Sequence, residues 1–88
     1  MTMSVESGIV CFIGAGNMAE ALVRALVRAG TPPASLRVAD VLPERLQVFR
    51  DDLGVAGFAD NTAAVRGAGV VVLAVKPQKM DAVLQGLR

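Results

Sequence analysis

Gly14-Ala15-Gly16-Asn17-Met18-Ala19 carries the most specific chemistry in the sequence, because it matches the G-x-G-x-x-G/A pattern of a dinucleotide-binding turn. Gly14 permits a tight turn, and Gly16 leaves no side chain where a pyrophosphate must approach the main chain. The small Ala19 lets a helix pack closely on a strand. Phosphates would meet free N–H groups and the positive end of the helix dipole. Asp40 lies 24 residues after Gly16 (40 − 16), near the roughly 20-residue offset at which an acid accepts hydrogen bonds from a ribose. The bland alternatives are a glycine turn that only joins a strand to a helix, and an Asp that only solvates a strand end.

Three other residues need both readings. Asn61 is either a helix N-cap, a ligand contact, or both. Lys76-Pro77 follows the apolar run Val70 to Val75, and the carboxyl ends of strands in open parallel sheets are where ligands bind. Cys11 lies inside an apolar run and reads as an inert core thiol.

Composition excludes several chemistries. With no histidine there is no His-ligated zinc and no Ser/His or Cys/His pair, so no metal site is expected. One cysteine cannot form an internal disulfide. A net charge of +1 without a basic block, and aromatic residues at only 3%, remove the footprint of a nucleic-acid binder. No run is long enough to span a membrane, and Met1 to Gly8 lacks the basic start of a signal peptide, so a soluble, cytoplasmic protein is expected.

The elements that must position these residues follow from the apolar pattern. Ile9 to Ile13 reads as a strand buried on both faces, ended by Gly14. Met18, Leu22, Ala25, Leu26 and Ala29 then recur at helical spacing, up to Gly30, Pro32 and Pro33. Leu36 to Asp40 is a second strand, and Pro43 opens a helix carrying Leu46, Phe49 and Leu53 on one face. Val55 to Ala59 is a weaker strand because Gly57 interrupts it. Asn61 caps a short helix through Arg66, and Val70 to Val75 is the strongest strand. Met80, Val83, Leu84 and Leu87 mark a last helix, inside which the chain stops without a capping glycine. The order βαβαβαβα predicts a Rossmann-like, doubly wound parallel α/β sheet, truncated to about four strands where a full version has six.

Phe12-Ile13-Gly14-Ala15-Gly16-Asn17-Met18-Ala19-Glu20-Ala21-Leu22, Asp60-Asn61 and Val71-Val72-Leu73-Ala74-Val75-Lys76-Pro77-Gln78 together resemble the N-terminal domain of pyrroline-5-carboxylate reductase. The resemblance runs from about Ile9 to the end of the chain. It implies an NAD(P)H-dependent reduction of the C=N bond of pyrroline-5-carboxylate to proline. By resemblance, Ile13, Gly14, Ala15, Gly16, Asn17 and Met18 line the pyrophosphate. Asn61 approaches the adenosine side, and Ala74, Val75, Lys76 and Pro77 contact the cofactor near its nicotinamide half. Members of that family often carry Ser, Asn or Arg near the end of the second strand for the 2′-phosphate of NADP. Here the stretch is Ala39-Asp40-Val41, which leaves the cofactor as NADP or NAD and tilts it toward NAD.

Residues 1–88 are thus expected to form one dinucleotide-binding domain, with the family's C-terminal helical substrate and dimerisation domain absent. No catalytic residue is assigned within the chain. It has no His or Tyr, and its only lysines are Lys76 and Lys79. The expected partners are the dinucleotide, a small substrate only with the missing domain, and a second copy of the chain in a homo-oligomer. Two other functions fit the same turn: a non-catalytic nucleotide sensor, and the cofactor domain of another dehydrogenase such as a hydroxyacid or F420-linked enzyme. The Lys76-Pro77-Gln78 segment argues against the latter.

Overall fold

A computed structural model describes residues 8–87. The expectation about the first residues, Met1 to Gly8, lies almost wholly outside them. The elements are β1 (Val10–Ile13), α1 (Asn17–Arg28), β2 (Leu36–Ala39), α2 (Pro43–Leu53), β3 (Ala56–Phe58), α3 (Asn61–Val65), β4 (Val70–Leu73) and α4 (Pro77–Gly86), with one 3₁₀ turn at Pro33–Ser35 before β2. All four strands are parallel, in the order β3-β2-β1-β4. The chain steps outward from β1 to β2 and β3, then crosses to the far side of β1 to lay down β4. The reversal beside β1 is the switch point at which open α/β sheets bind ligands.

Period-2 alternation sorts β1 between two cores. Val10 and Phe12 pack with Ala19 and Val23 of α1 and with Leu46 and Phe49 of α2. Cys11 and Ile13 face the other way, toward Ala64 of α3 and Val83 of α4. Because helices cover both faces, β1 has no polar side and all four of its residues are buried.

Several expected boundaries and faces move. The inward face of α1 is Ala19 and Val23, with Leu26 and Val27 partly covered, while Met18 (56%) and Leu22 (44%) are exposed, as are Ala25 and Ala29. Small Ala19 must face the sheet for the helix to follow the glycine turn closely, and that rotates Met18 and Leu22 outward. The N-cap of α3 is Asp60, not Asn61: its Oδ1 accepts the Thr62 N–H at 3.0 Å, and Asn61 is the first helical residue. The helix closes at Val65 with Arg66 as its C-cap. β3 is the weakest strand, as expected, three residues centred on Gly57 and narrower than Val55 to Ala59; a Cβ on Gly57 would stand 3.0 Å from the Leu46 Cβ of α2. The strand expected to be strongest, β4, is shorter than Val70 to Val75 and is an edge strand with Val71 exposed. In α4, which buries no residue fully, Leu84 is exposed and Leu87 is the C-cap, its N–H donating to the Leu84 carbonyl at 3.2 Å.

Candidate functional site

The carboxyl ends of the strands are stitched together where β1 turns into α1. Gly14 N–H donates to the Ala39 carbonyl at 2.7 Å, and Ala74 N–H donates to the Ile13 carbonyl at 2.8 Å. Gly14 has φ +105°, a region that side-chain-bearing residues avoid. Ala15 and Ala19 beside it are fully buried. The turn is therefore held rigidly against both neighbouring strands.

Ala15 is gripped from both sides by the segment that follows β2. Its N–H donates to Asp40 Oδ2 at 2.8 Å, and its carbonyl accepts from Arg45 Nε at 2.6 Å. The other Asp40 oxygen, Oδ1, accepts the Leu42 N–H at 3.0 Å, an Asx turn that leads into α2. Asp40 thus shapes the glycine turn as well as facing the cleft. Arg45 Nη2 continues to Glu20 Oε1 at 2.7 Å, and Glu20 Oε2 accepts from Arg24 Nε at 2.8 Å. The hydrogen bonds from Arg45 and then Arg24 hold the Glu20 carboxyl below the usual carboxylate range. Nothing in the local sequence marks Arg45; its role depends on α2 packing beside α1.

Past Ala15 the main chain is open. The N–H groups of Gly16, Asn17, Met18 and Ala19 meet no protein acceptor among the described residues, and the first helical bond runs from Glu20 N–H to the Gly16 carbonyl at 2.9 Å. A Cβ on Gly16 would touch nothing within 4 Å. Free amides on an exposed, glycine-cleared helix start suit a phosphate group, and so the residues present fit a dinucleotide.

Next to this turn, Ile13, Gly14, Asp40, Asn61 and Val75 line one cleft, joined by Lys79 and Val83. Sequence reasoning missed Lys79 and Val83, which only the placement of α4 beside β1 brings in. Gly16, Asn17 and Met18 stand exposed at the start of α1, and Ala15 lies beneath them. Ala74 backs onto Gly14, whereas Lys76 and Pro77 are exposed as the N-cap and first residue of α4. Cys11 lies away from the opening in the sheet; it is fully buried, and burial pushes its thiol up to about 11.

A parallel sheet reversing beside β1, with an open glycine turn at the carboxyl end of that strand, defines a Rossmann-like domain of the dinucleotide-binding class. The chain belongs to the family described as NADP oxidoreductase, coenzyme F420-dependent, which matches residues 9–88. It is 42% identical over 78 residues to the pyrroline-5-carboxylate reductase of Pseudomonas aeruginosa, covering 89% of this chain and 29% of the relative. With the reductase of Methanosarcina acetivorans it shares 35% over 85 residues, 96% of this chain and 32% of that one. A solved pyrroline-5-carboxylate reductase from Coxiella burnetii superposes with a TM-score of 0.87 at 37% identity, over 89% of this chain and 29% of its own. The chain spans about three tenths of the length of the curated relatives it matches. No helix among the described residues is long and apolar enough to cross a membrane.

Proposed function

We propose that this chain is the NAD(P)H-binding unit of a pyrroline-5-carboxylate reductase. The observation that carries the proposal is the open turn: free amides of Gly16, Asn17 and Met18 at a helix start whose N-cap glycine has no side chain, opposite the acid that follows β2. When bound, the nicotinamide would supply a hydride to the C=N carbon of pyrroline-5-carboxylate and leave oxidised, while a proton from solvent or from outside these residues reaches the nitrogen, giving proline. In this reading Ile13 to Met18 form the pyrophosphate seat, with Ala15 shaping it from below. Asp40 and Asn61 take the adenosine side. Ala74 to Pro77 border the nicotinamide half.

We also favour NAD over NADP. Arg37 and Arg45 are the cations of β2 and early α2 that could meet a 2′-phosphate, and both are engaged elsewhere. Arg37 Nη1 donates to the Ala64 and Arg66 carbonyls at 3.1 and 2.6 Å, and Arg45 is held by Ala15 and Glu20. The acid that remains at Asp40 suits ribose hydroxyls and repels a phosphate. A substrate domain beyond these residues, homo-oligomeric assembly and a cytoplasmic location complete the reading.

The F420 wording of the family description favours a second reading, an F420-linked NADP oxidoreductase. The names of the relatives favour the first. Calorimetric titration of NADH and NADPH into the chain and into Gly16→Val tests the cofactor site. Wild type should bind and the variant should lose at least tenfold, about 1.4 kcal/mol; equal binding by both removes the turn from the argument. Oxidation of NADH with pyrroline-5-carboxylate should be negligible for the chain alone, since hydride transfer needs donor and acceptor held about 3 to 3.5 Å apart by a second wall. It should appear on mixing with a separately expressed substrate domain; substantial turnover by the chain alone would defeat that division of labour.

A further inference from the structure

Arg45 makes contacts that no nucleotide-binding pattern requires. Its Nε donates to the Ala15 carbonyl at 2.6 Å, its Nη2 to Glu20 at 2.7 Å, and its guanidinium lies 5.9 Å from the centre of the Phe49 ring. Three points of attachment leave the guanidinium one orientation. The peptide that joins Ala15 to Gly16 is planar and trans, so its C=O and N–H point in opposite directions. Drawing the carbonyl toward α2 therefore turns the Gly16 N–H away from α2, and that amide has no protein acceptor. The cation on the carbonyl also polarises the peptide, which makes the N–H a stronger donor.

We propose that Arg45 is a positioning residue of the dinucleotide turn, aiming the Gly16 N–H at the pyrophosphate by holding the carbonyl of the same peptide, with Glu20 as its anchor. Asp40 performs the matching task one peptide earlier, on the Ala15 N–H. The proposal rests on the dinucleotide reading given above. It extends that reading to a residue outside the lining of the cleft.

Two measurements test it. Residual dipolar couplings on the ligand-free chain report the direction of the Gly16 N–H, which should tilt by tens of degrees in Arg45→Ala and less in Arg45→Lys, which keeps one donor. Titrations with NADH and with adenosine, which has no pyrophosphate, report the consequence. Arg45→Ala should weaken NADH at least tenfold and leave adenosine unchanged, and Arg45→Lys should recover part of the loss. An unmoved Gly16 vector overturns the proposal, as does NADH affinity within twofold of wild type or an equal loss for both ligands. Should Arg45→Ala not fold, Arg45→Lys decides: a tilted vector with a loss confined to NADH supports the proposal, and wild-type behaviour overturns it. If wild type binds no NADH, the dinucleotide reading fails separately, and the couplings still decide whether Arg45 orients the peptide.

Discussion

A Cβ on Gly14 would stand 2.7 Å from the main-chain oxygen of Ala74 and 3.0 Å from its carbonyl carbon. The obstacle is backbone, which cannot swing aside as a side-chain tip can, and the same Ala74 donates its N–H to Ile13. The first glycine of the turn therefore holds β1 and β4 together at the switch point. The second glycine, Gly16, stands in open space and holds no neighbour in place.

Gly14→Ala should destabilise the fold by about 2 kcal/mol or more, through both the positive φ and the collision with Ala74. A thermal melt should show a drop of roughly 8 °C or more for a domain of this size. Gly16→Ala, with φ −81° and nothing within 4 Å of its Cβ, should melt within about 3 °C of wild type. Equal melting of the two variants would refute the division between a structural and a functional glycine.

The strand, turn and helix that carry the fingerprint were legible because β1 is buried on both faces and its end is marked by glycine. The face of α1 was not. The fingerprint already placed the small Ala19 against the strand, but hydropathy gives much weight to Met18 and Leu22, which that close approach turns outward. Adjacent Asp60 and Asn61 are equally good caps on paper, and only the main-chain path into α3 chooses between them. The grip of Asp40 and Arg45 on Ala15 was invisible for a different reason, since it depends on the parallel register that pairs Ile13 with Ala39.

Replacing the true cap should show in stability. Asp60→Ala removes the acceptor of the Thr62 N–H and should cost about 1 kcal/mol in denaturant unfolding. Asn61→Ala, one position inside the helix, should change stability by less than half as much. The reverse ranking would return the cap to Asn61.

Acid should loosen the α1–α2 contact through Glu20. Its carboxyl is held below the usual range by Arg45 and Arg24, so its folded pKa lies below its unfolded one. The stabilisation is complete above about pH 4.3, the unfolded value, and is lost as pH falls through the folded pKa. Melting temperatures of wild type and Glu20→Gln should therefore differ at neutral pH and converge in acid below about pH 4. A gap that stays constant across that range would show that the carboxylate charge is not what joins the helices.

Asp40→Ser tests the adenosine side and the turn together. The carboxylate spends one oxygen on Ala15 N–H at 2.8 Å and the other on Leu42 N–H at 3.0 Å, and it borders the cleft with Asn61 and Lys79. Serine keeps a short hydroxyl but cannot reach both amides, so unfolding should become easier by about 1 to 3 kcal/mol. Losing the acceptor of the Ala15 N–H also loosens the turn in the folded protein, which weakens NADH and NADPH alike because both would seat the same pyrophosphate there. The change of charge acts differently on the two: it removes an acceptor from the ribose hydroxyls of NADH and a like charge from beside the 2′-phosphate of NADPH. The ratio of the two affinities cancels the common loss, so it should move toward NADPH by about tenfold, or about 1.4 kcal/mol, even if both weaken. Parallel calorimetric titrations on wild type and variant measure it. A ratio that does not move would mean that the Asp40 carboxylate is wholly spent on the turn and plays no part in choosing the cofactor.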